Sequence, residues 1–189
     1  MNEHARRPAP PATYQDVLDV PPHMVAELVD GALHLQPRPA FPHAIAGSSL
    51  GAELSFPFQK GRGGPGGWWI ISEPELHLGQ DVLVPDIAGW RRERMPTAPS
   101  GPWTDLAPDW LCEVLSPSTR SFDLVDKRRV YATSGVGCLW LVDPLDRTLE
   151  AFELRSSQWV LIAALKDAEE VRVAPFEAIS FPLSELWPD

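Results

Sequence analysis

Apolar and polar positions follow one another along this chain in an order that predicts its elements. The run "MVAELVDGALHLQP", residues 24–37, alternates on both sides of Asp30-Gly31. That dipeptide suits a tight turn between antiparallel strands, so the run predicts a hairpin. Pro37, Pro39 and Pro42 then interrupt the chain. From His43 to Lys60 the residues Ile45, Leu50 and Leu54 recur at near-helical spacing, which predicts a helix weakened near its end by Pro57. "KGRGGPGG", residues 60–67, reads as a flexible loop. A phosphate loop would need Gly-Lys-Ser/Thr opening a helix after a strand, and here a helix precedes and "WWII" follows. Three strand-like runs come next: "WWIISEPELHLG" (68–79), "DVLVPDIAGW" (81–90) and, after a Pro-rich loop at 95–108, "DWLCEVLSP" (109–117). Ser121 can cap a helix running to about Thr133, with Gly135 suited to its C-terminal end. "CLWLVDP" is a further buried strand, and "TLEAFEL" with "QWVLIAAL" forms a closing hairpin. Residues 1–12 read as a loose tail and 13–189 as one domain. The order predicts a mixed α/β fold in which an antiparallel meander feeds a crossover.

Two acids stand out against this apolar background. Strand alternation puts Val82, Val84, Asp86 and Ala88 on one face of the second run, and Leu111, Glu113 and Leu115 on one face of the third. If the two strands are neighbours, the carboxylates meet, and they repel unless a proton or a cation lies between them. Oxygen ligands of this kind suit Mg²⁺ or Mn²⁺. The same acids could instead each pair with an arginine or end in solvent. The helix after Glu113 brings "DKRR". On a helical wheel Lys127 lies between Val130 and Tyr131, Arg128 nearer Leu124 and Ala132, and the wheel does not choose between them.

Composition narrows the classes. A chain of 189 residues is long enough to bury a sizeable core in one domain. The net charge of −10 and pI near 4.9 argue against broad, non-specific nucleic-acid binding, which depends on neutralising phosphates. They leave room for a local groove built from Arg91, Arg92, Arg94, Lys127, Arg128 and Arg129. Cys112 and Cys138 both lie in apolar runs, as reduced core cysteines do in a cytoplasmic protein. No N-terminal apolar stretch resembles a signal peptide, and no run approaches the roughly 20 apolar residues that span a bilayer, so no membrane partner is expected. His4, His23, His34 and His77 show no metal spacing with the cysteines. Trp68, Trp69, Trp110 and Trp140 read as core, whereas Trp90 and Trp103 flank the loop around the expected site and could contact a base.

Pro85-Asp86 followed by an apolar strand with Glu113 resembles the PD-(D/E)XK nuclease superfamily, with Leu115 where its lysine usually stands. The flanks make the resemblance specific. "AELVDGALHLQPRPAFPHAIAGSSLGAEL", "VPDIAGW", "CEVLSPST" and "DKRRVYATSGVGCLWLVDP" together resemble the Uma-type family of candidate restriction endonucleases, over roughly residues 14 to 160. The resemblance implies a restriction-endonuclease-like central mixed sheet flanked by helices, with hairpins at both ends. It implies that Asp86 and Glu113, completed by the Val114 backbone carbonyl, bind Mg²⁺ or Mn²⁺, and that Lys127 supplies the amine missing at Leu115. Glu27 and His43 match further family positions and stand as accessory site residues; Arg91, Arg92 and Arg128 stand as DNA contacts. The implied activity is metal-dependent hydrolysis of DNA phosphodiesters, with homodimerisation through the apolar C-terminal strands. Two other readings remain open here: a nuclease-fold protein that binds or regulates with little catalysis, in keeping with the acidic balance, and a metal-dependent hydrolase of a small phosphoester.

Overall fold

The alternating segments pair as their patterns require. In the computed structural model, which describes residues 10–37 and 39–187, a short helix α1 (Tyr14–Leu18) precedes the hairpin β1 (Met24–Val29) and β2 (Ala32–Pro37). Asp30 and Gly31 both take left-handed conformations, φ +51° and +72°, as the tight turn demands. Residues 1–9 of the expected tail lie outside the described residues. Its last part is tied down: the Ala12 N–H donates to the Gly31 carbonyl at 2.7 Å. Pro11 packs so close over the turn that a Cβ at position 31 would come within 2.8 Å of it.

Helix α2 (Phe41–Leu54) starts two residues earlier than its spacing suggests and continues as a π-helical turn, Ser55–Gln59, that absorbs Pro57. The strands β3 (Trp68–Ser72), β4 (Glu75–Leu78), β5 (Asp81–Leu83), β6 (Ile87–Arg91), β7 (Trp103–Thr104) and β8 (Trp110–Val114) follow. Then comes one helical segment in three parts: α3 (Arg120–Phe122), a π-helical turn (Asp123–Lys127) and α4 (Arg128–Thr133). The chain ends in β9 (Cys138–Asp143), β10 (Thr148–Arg155), β11 (Gln158–Lys166), the small pair β12 (Glu170–Val171) and β13 (Phe181–Pro182), and a 3₁₀ turn, Leu183–Leu186. No described helix is long and apolar enough to cross a membrane.

The fold is mixed α/β, and it carries two large sheets where one central sheet was expected. The larger has the order β11-β10-β9-β8-β6-β3, and within it only β8 and β9 run parallel, joined by the α3–α4 crossover. The smaller has the order β2-β1-β5-β4-β7. Two of the three strand-like runs switch sheets midway. The first breaks at Glu73-Pro74, between β3 and β4; the second breaks at Val84-Pro85-Asp86, between β5 and β6. Each break holds a proline, which cannot donate to a ladder, and Glu73 takes φ +48° to make its corner. Val82 therefore belongs to the smaller sheet and does not share a face with Asp86 and Ala88. The two corners are held together by the Glu73 N–H donating to the Asp86 carbonyl at 3.0 Å.

The larger sheet has a core on each face. Trp110, Cys112 and Val114 of β8 pack with Trp140, Phe176 and the α2 residues Ala46, Leu50 and Leu54. Leu111 and Leu115 pack the other way, with Leu139, Leu141, Val130 and Tyr131. Cys112 and Cys138 are free thiols, as expected, and burial pushes the Cys138 thiol up to about 11.

Candidate active site

The register of the large sheet brings the two acids together. Ile87 of β6 lies opposite Cys112 of β8 in an antiparallel pair. One position further, Asp86 comes opposite Glu113. Both side chains border a cavity of about 290 Å³, which His43, Glu73, Asp123 and Lys127 also line. Asp86 sits at the sheet-switching corner and stays half-buried, whereas Glu113, inside β8, is 2% exposed.

The amine arrives from the crossover helix. The Lys127 Nζ lies 2.9 Å from Glu113 Oε1, 3.0 Å from Glu27 Oε1 and 3.5 Å from Asp123 Oδ1. Lys127 is 2% exposed, so this ammonium is held out of bulk water among carboxylates at the edge of the cavity. Asp123, Lys127 and Tyr131 recur every four residues through the π-helical turn and its continuation, and all three are buried. Tyr131 donates its hydroxyl to Glu113 Oε1 at 2.6 Å, and Thr119 donates to Asp123 Oδ2 at 2.6 Å. Glu27 is fixed from its own sheet: it accepts the Val84 N–H at 2.8 Å and the Gln36 amide at 2.6 Å. The smaller sheet, the larger sheet and the helix thus each place one carboxylate on the same ammonium.

Charges in this cluster do not balance. Three carboxylates face one ammonium, and burial penalises every one of the charged groups. Burial pushes the Glu113 carboxyl well above its usual range; Lys127 opposes the shift, and Asp123, Asp86 and Glu27 reinforce it. Burial raises Asp123 too, against the pull of Lys127 and the Thr119 hydrogen bond. Burial also disfavours the lysine's charge, but Glu113, Glu27, Tyr131 and Asp123 overcome it and hold the Lys127 pKa well above the ordinary value. Burial and the neighbouring Glu113 carry the Tyr131 phenol well upward as well. The cluster therefore keeps its ammonium, and the surplus of acids shifts Glu113 and Asp123 toward their protonated forms.

Asp86 has a separate set of partners. Its Oδ1 lies 3.2 Å from His43 Nε2, and its Oδ2 accepts the Val114 N–H at 2.7 Å. Burial works against the His43 charge, but the Asp86 contact wins and raises its pKa. Val114 thus enters the site through its N–H, which orients Asp86. The accessory candidates fall at the site: Glu27 inside the lysine cluster and His43 at the cavity wall.

The three arginines expected to contact DNA are not brought here. Arg91 ends β6, about five residues and hence about 16 Å along the strand from Asp86, and Arg92 follows it. Arg91 stacks over Trp68 at 4.5 Å and Arg92 over Trp69 at 4.1 Å. Arg128 stacks over Phe152 at 4.2 Å, and Arg129 pairs with Asp30. Four further residues at the site, Gln36, Glu73, Asp123 and Tyr131, have no individual signature in the sequence. Asp123 and Tyr131 carry a partial one, since they stand four residues before and after Lys127 on the packed face.

The donors at the cavity fit a small hard cation. Mg²⁺ is usually held by one or two carboxylates and keeps several waters, so Asp86 and Glu113 suffice in number and chemistry. The contacts of Tyr131 and Lys127 to the Glu113 side chain both fall on Oε1. Among the described residues no group of three or more His, Cys, Asp or Glu is gathered as a ready-made metal cage, because the remaining acids converge on Lys127.

A family model described as "Uma2: Putative restriction endonuclease" matches residues 11–184. No curated protein matches the chain. Among solved structures, the "putative nuclease belonging to DUF820" from Anabaena variabilis ATCC 29413 superimposes with a TM-score of 0.74 at 21% identity. The match covers 93% of this chain and 97% of that one, so the two share a fold over nearly their whole length.

Proposed function

The chain belongs to the family described as "Uma2: Putative restriction endonuclease", and from that premise we propose that it is a divalent-metal-dependent nuclease cutting DNA phosphodiester bonds. The observation that carries the reading is the enclosed Lys127 ammonium, 2.9 Å from Glu113, at the floor of a cavity that Asp86 also borders. A surface ion pair would not need three acids and a buried helix turn. A site that must hold positive charge beside carboxylates would.

In this reading Asp86 and Glu113 would hold Mg²⁺ or Mn²⁺, with the Val114 backbone carbonyl completing the set as the family resemblance implies. When bound, the ion supplies Lewis acidity at the scissile phosphate and a lowered pKa for the attacking water. The chain's own groups do the rest. Glu113, oriented by Tyr131 and Lys127, keeps one oxygen engaged with protein. Lys127 remains protonated across the neutral range and offers fixed positive charge where the phosphate gains negative charge. Asp86 raises the His43 pKa and so keeps its ring able to donate a proton to a phosphate oxygen at the cavity wall. Glu27 and Asp123 hold the lysine in place and share in balancing its charge.

The test is metal-dependent nicking of plasmid DNA by the purified protein. Cleavage with Mg²⁺ or Mn²⁺, absent with EDTA and absent in Glu113→Gln and Lys127→Arg, supports the reading. A well-folded wild-type protein that cuts neither single- nor double-stranded DNA with either metal overturns it in favour of a nuclease-fold binding module.

A further inference from the structure

Beside the carboxylate cavity lies a second and larger one, about 480 Å³. Its walls are aromatic and apolar, formed chiefly by Trp69, Ile71, Trp90, Met95, Pro102 and Trp103. Glu73 and Val84 line both cavities, so the two adjoin at the corner that carries Asp86. From the geometry we infer that this second cavity takes one unpaired nucleobase of the strand whose phosphate occupies the first. The inference rests on the nuclease reading and names its substrate: DNA that is single-stranded or locally opened at the cut.

Three observations point to a base. The first is a preorganised stacking surface. Trp103 is 42% exposed, yet its ring is stacked on His77, centroids 4.3 Å apart and planes 18° from parallel. His77 Nε2 contacts Glu75 Oε1 at 2.8 Å, and Tyr14 donates its hydroxyl to that same oxygen at 2.7 Å. An exposed indole held by such a chain loses little freedom when a planar ring stacks on it. Secondly, the indole N–H groups of the wall are already used: Trp69 donates to the Met95 carbonyl and Trp90 to the Leu106 carbonyl, each at 2.9 Å. These rings are fixed and present apolar surface. The third observation is charge. The cavity is lined by no lysine or arginine, and Glu73 and Glu75 border it. A phosphate is repelled there, whereas an uncharged heterocycle is not. Glu75 is committed to His77 and Tyr14, which leaves Glu73 to accept from an exocyclic amino group. A base in a duplex cannot reach such a pocket without leaving the stack.

The experiment measures binding of a short single-stranded oligodeoxyadenylate to the full chain in Ca²⁺, an oxygen-binding cation that offsets the carboxylates of the first cavity, by quenching of tryptophan fluorescence and by anisotropy. Cleavage is followed separately with Mg²⁺. Stacking on one aromatic ring predicts that Trp103→Ala weakens binding about tenfold and Trp103→Phe much less. Ala98→Trp, which fills the cavity while leaving Trp103 in place, should block binding too. An oligomer of abasic sugar phosphates should bind weakly and without regard to Trp103. Thermal melts show that each variant is folded. Equal binding by wild type and both Trp103 variants, or no binding by wild type, overturns the base cavity even if plasmid is cut. Trp103-dependent binding without cleavage under any metal supports the cavity while removing the nuclease reading.

Discussion

Strand β8 serves two regions of opposite character. Trp110, Cys112 and Val114 point into an apolar core where Trp110, Trp140 and Phe176 meet edge to face, with centroids 4.9 to 5.7 Å apart. Leu111, Glu113 and Leu115 point the other way, and the middle one enters the lysine cluster. The alternation of a strand lets one short segment anchor the fold with one set of residues and build charge with the other. The apolar face gains stability from close packing that is indifferent to pH. The polar face spends stability: three carboxylates and an ammonium are taken out of water, and they favour folding only while paired.

Removing the central residue of each region gives the largest contrast. Trp140→Ala should cost about 3–5 kcal/mol through lost burial and the cavity left behind, by the same amount across the pH range. Lys127→Ala should cost a similar ~3–5 kcal/mol near neutrality, because it leaves buried acids without a cation. Its cost should shrink on acidification. Acids whose folded pKa lies above the unfolded value stabilise the native state fully below the unfolded pKa and lose that contribution as pH rises. Glu113 and Asp123 are both raised, so the Lys127→Ala protein should regain stability as pH falls toward their ordinary values. Urea denaturation of both variants across this range checks the difference. A pH-independent deficit for Lys127→Ala would mean that the lysine acts there only as packing.

On the metal-dependent reading, a divalent cation should sharpen the contrast on the polar side alone. At a Mg²⁺ concentration a hundred times its dissociation constant, binding linkage raises stability by about 2.7 kcal/mol. Asp86→Ala should abolish the increment and Trp140→Ala should retain it, as melting with Mg²⁺ against EDTA will show. The next effects are single atoms. Tyr131→Phe removes a hydrogen bond to a buried carboxylate and should cost about 2 kcal/mol. Gly89→Ala intrudes on the apolar face, where its Cβ would lie 3.2 Å from Trp110 and 3.3 Å from Ile70 and Trp68, and should cost about 1–3 kcal/mol with no pH dependence. The smallest effect belongs to the far end of the sheet. Arg91→Ala loses its stacking over Trp68 and should cost about 0.5–1 kcal/mol.

Much of the architecture was legible along the chain. The Asp30-Gly31 hairpin, both main helices, the buried strands around Glu113 and Trp140 and the crossover between them all follow from period and punctuation. Glu113 was conspicuous because an acid inside "WLCEVL" contradicts its surroundings. Family resemblance singled out Lys127 over Arg128, and the structure places Lys127 against Glu113 and Arg128 against Phe152. What the chain did not display were features set by long-range geometry. Pro74 and Pro85 signal interruptions but not that each one sends the chain into another sheet. Arg91 and Arg92 were candidates for a basic groove, and nothing local showed that they would stack on Trp68 and Trp69 away from Asp86.

What the sequence by itself determined is therefore the identity of the elements and of the charged residues that contradict them, because period and burial cost are local properties. The tertiary structure alone decided the company those residues keep. Asp86 lies with His43, and Glu113 with Lys127, Tyr131 and Glu27, because two sheets and a π-helical turn converge at one corner. No periodicity records that convergence. Contacts between β1, β8 and the helix depend on sheet order and on where strands break, and those are settled by the packing of the whole chain.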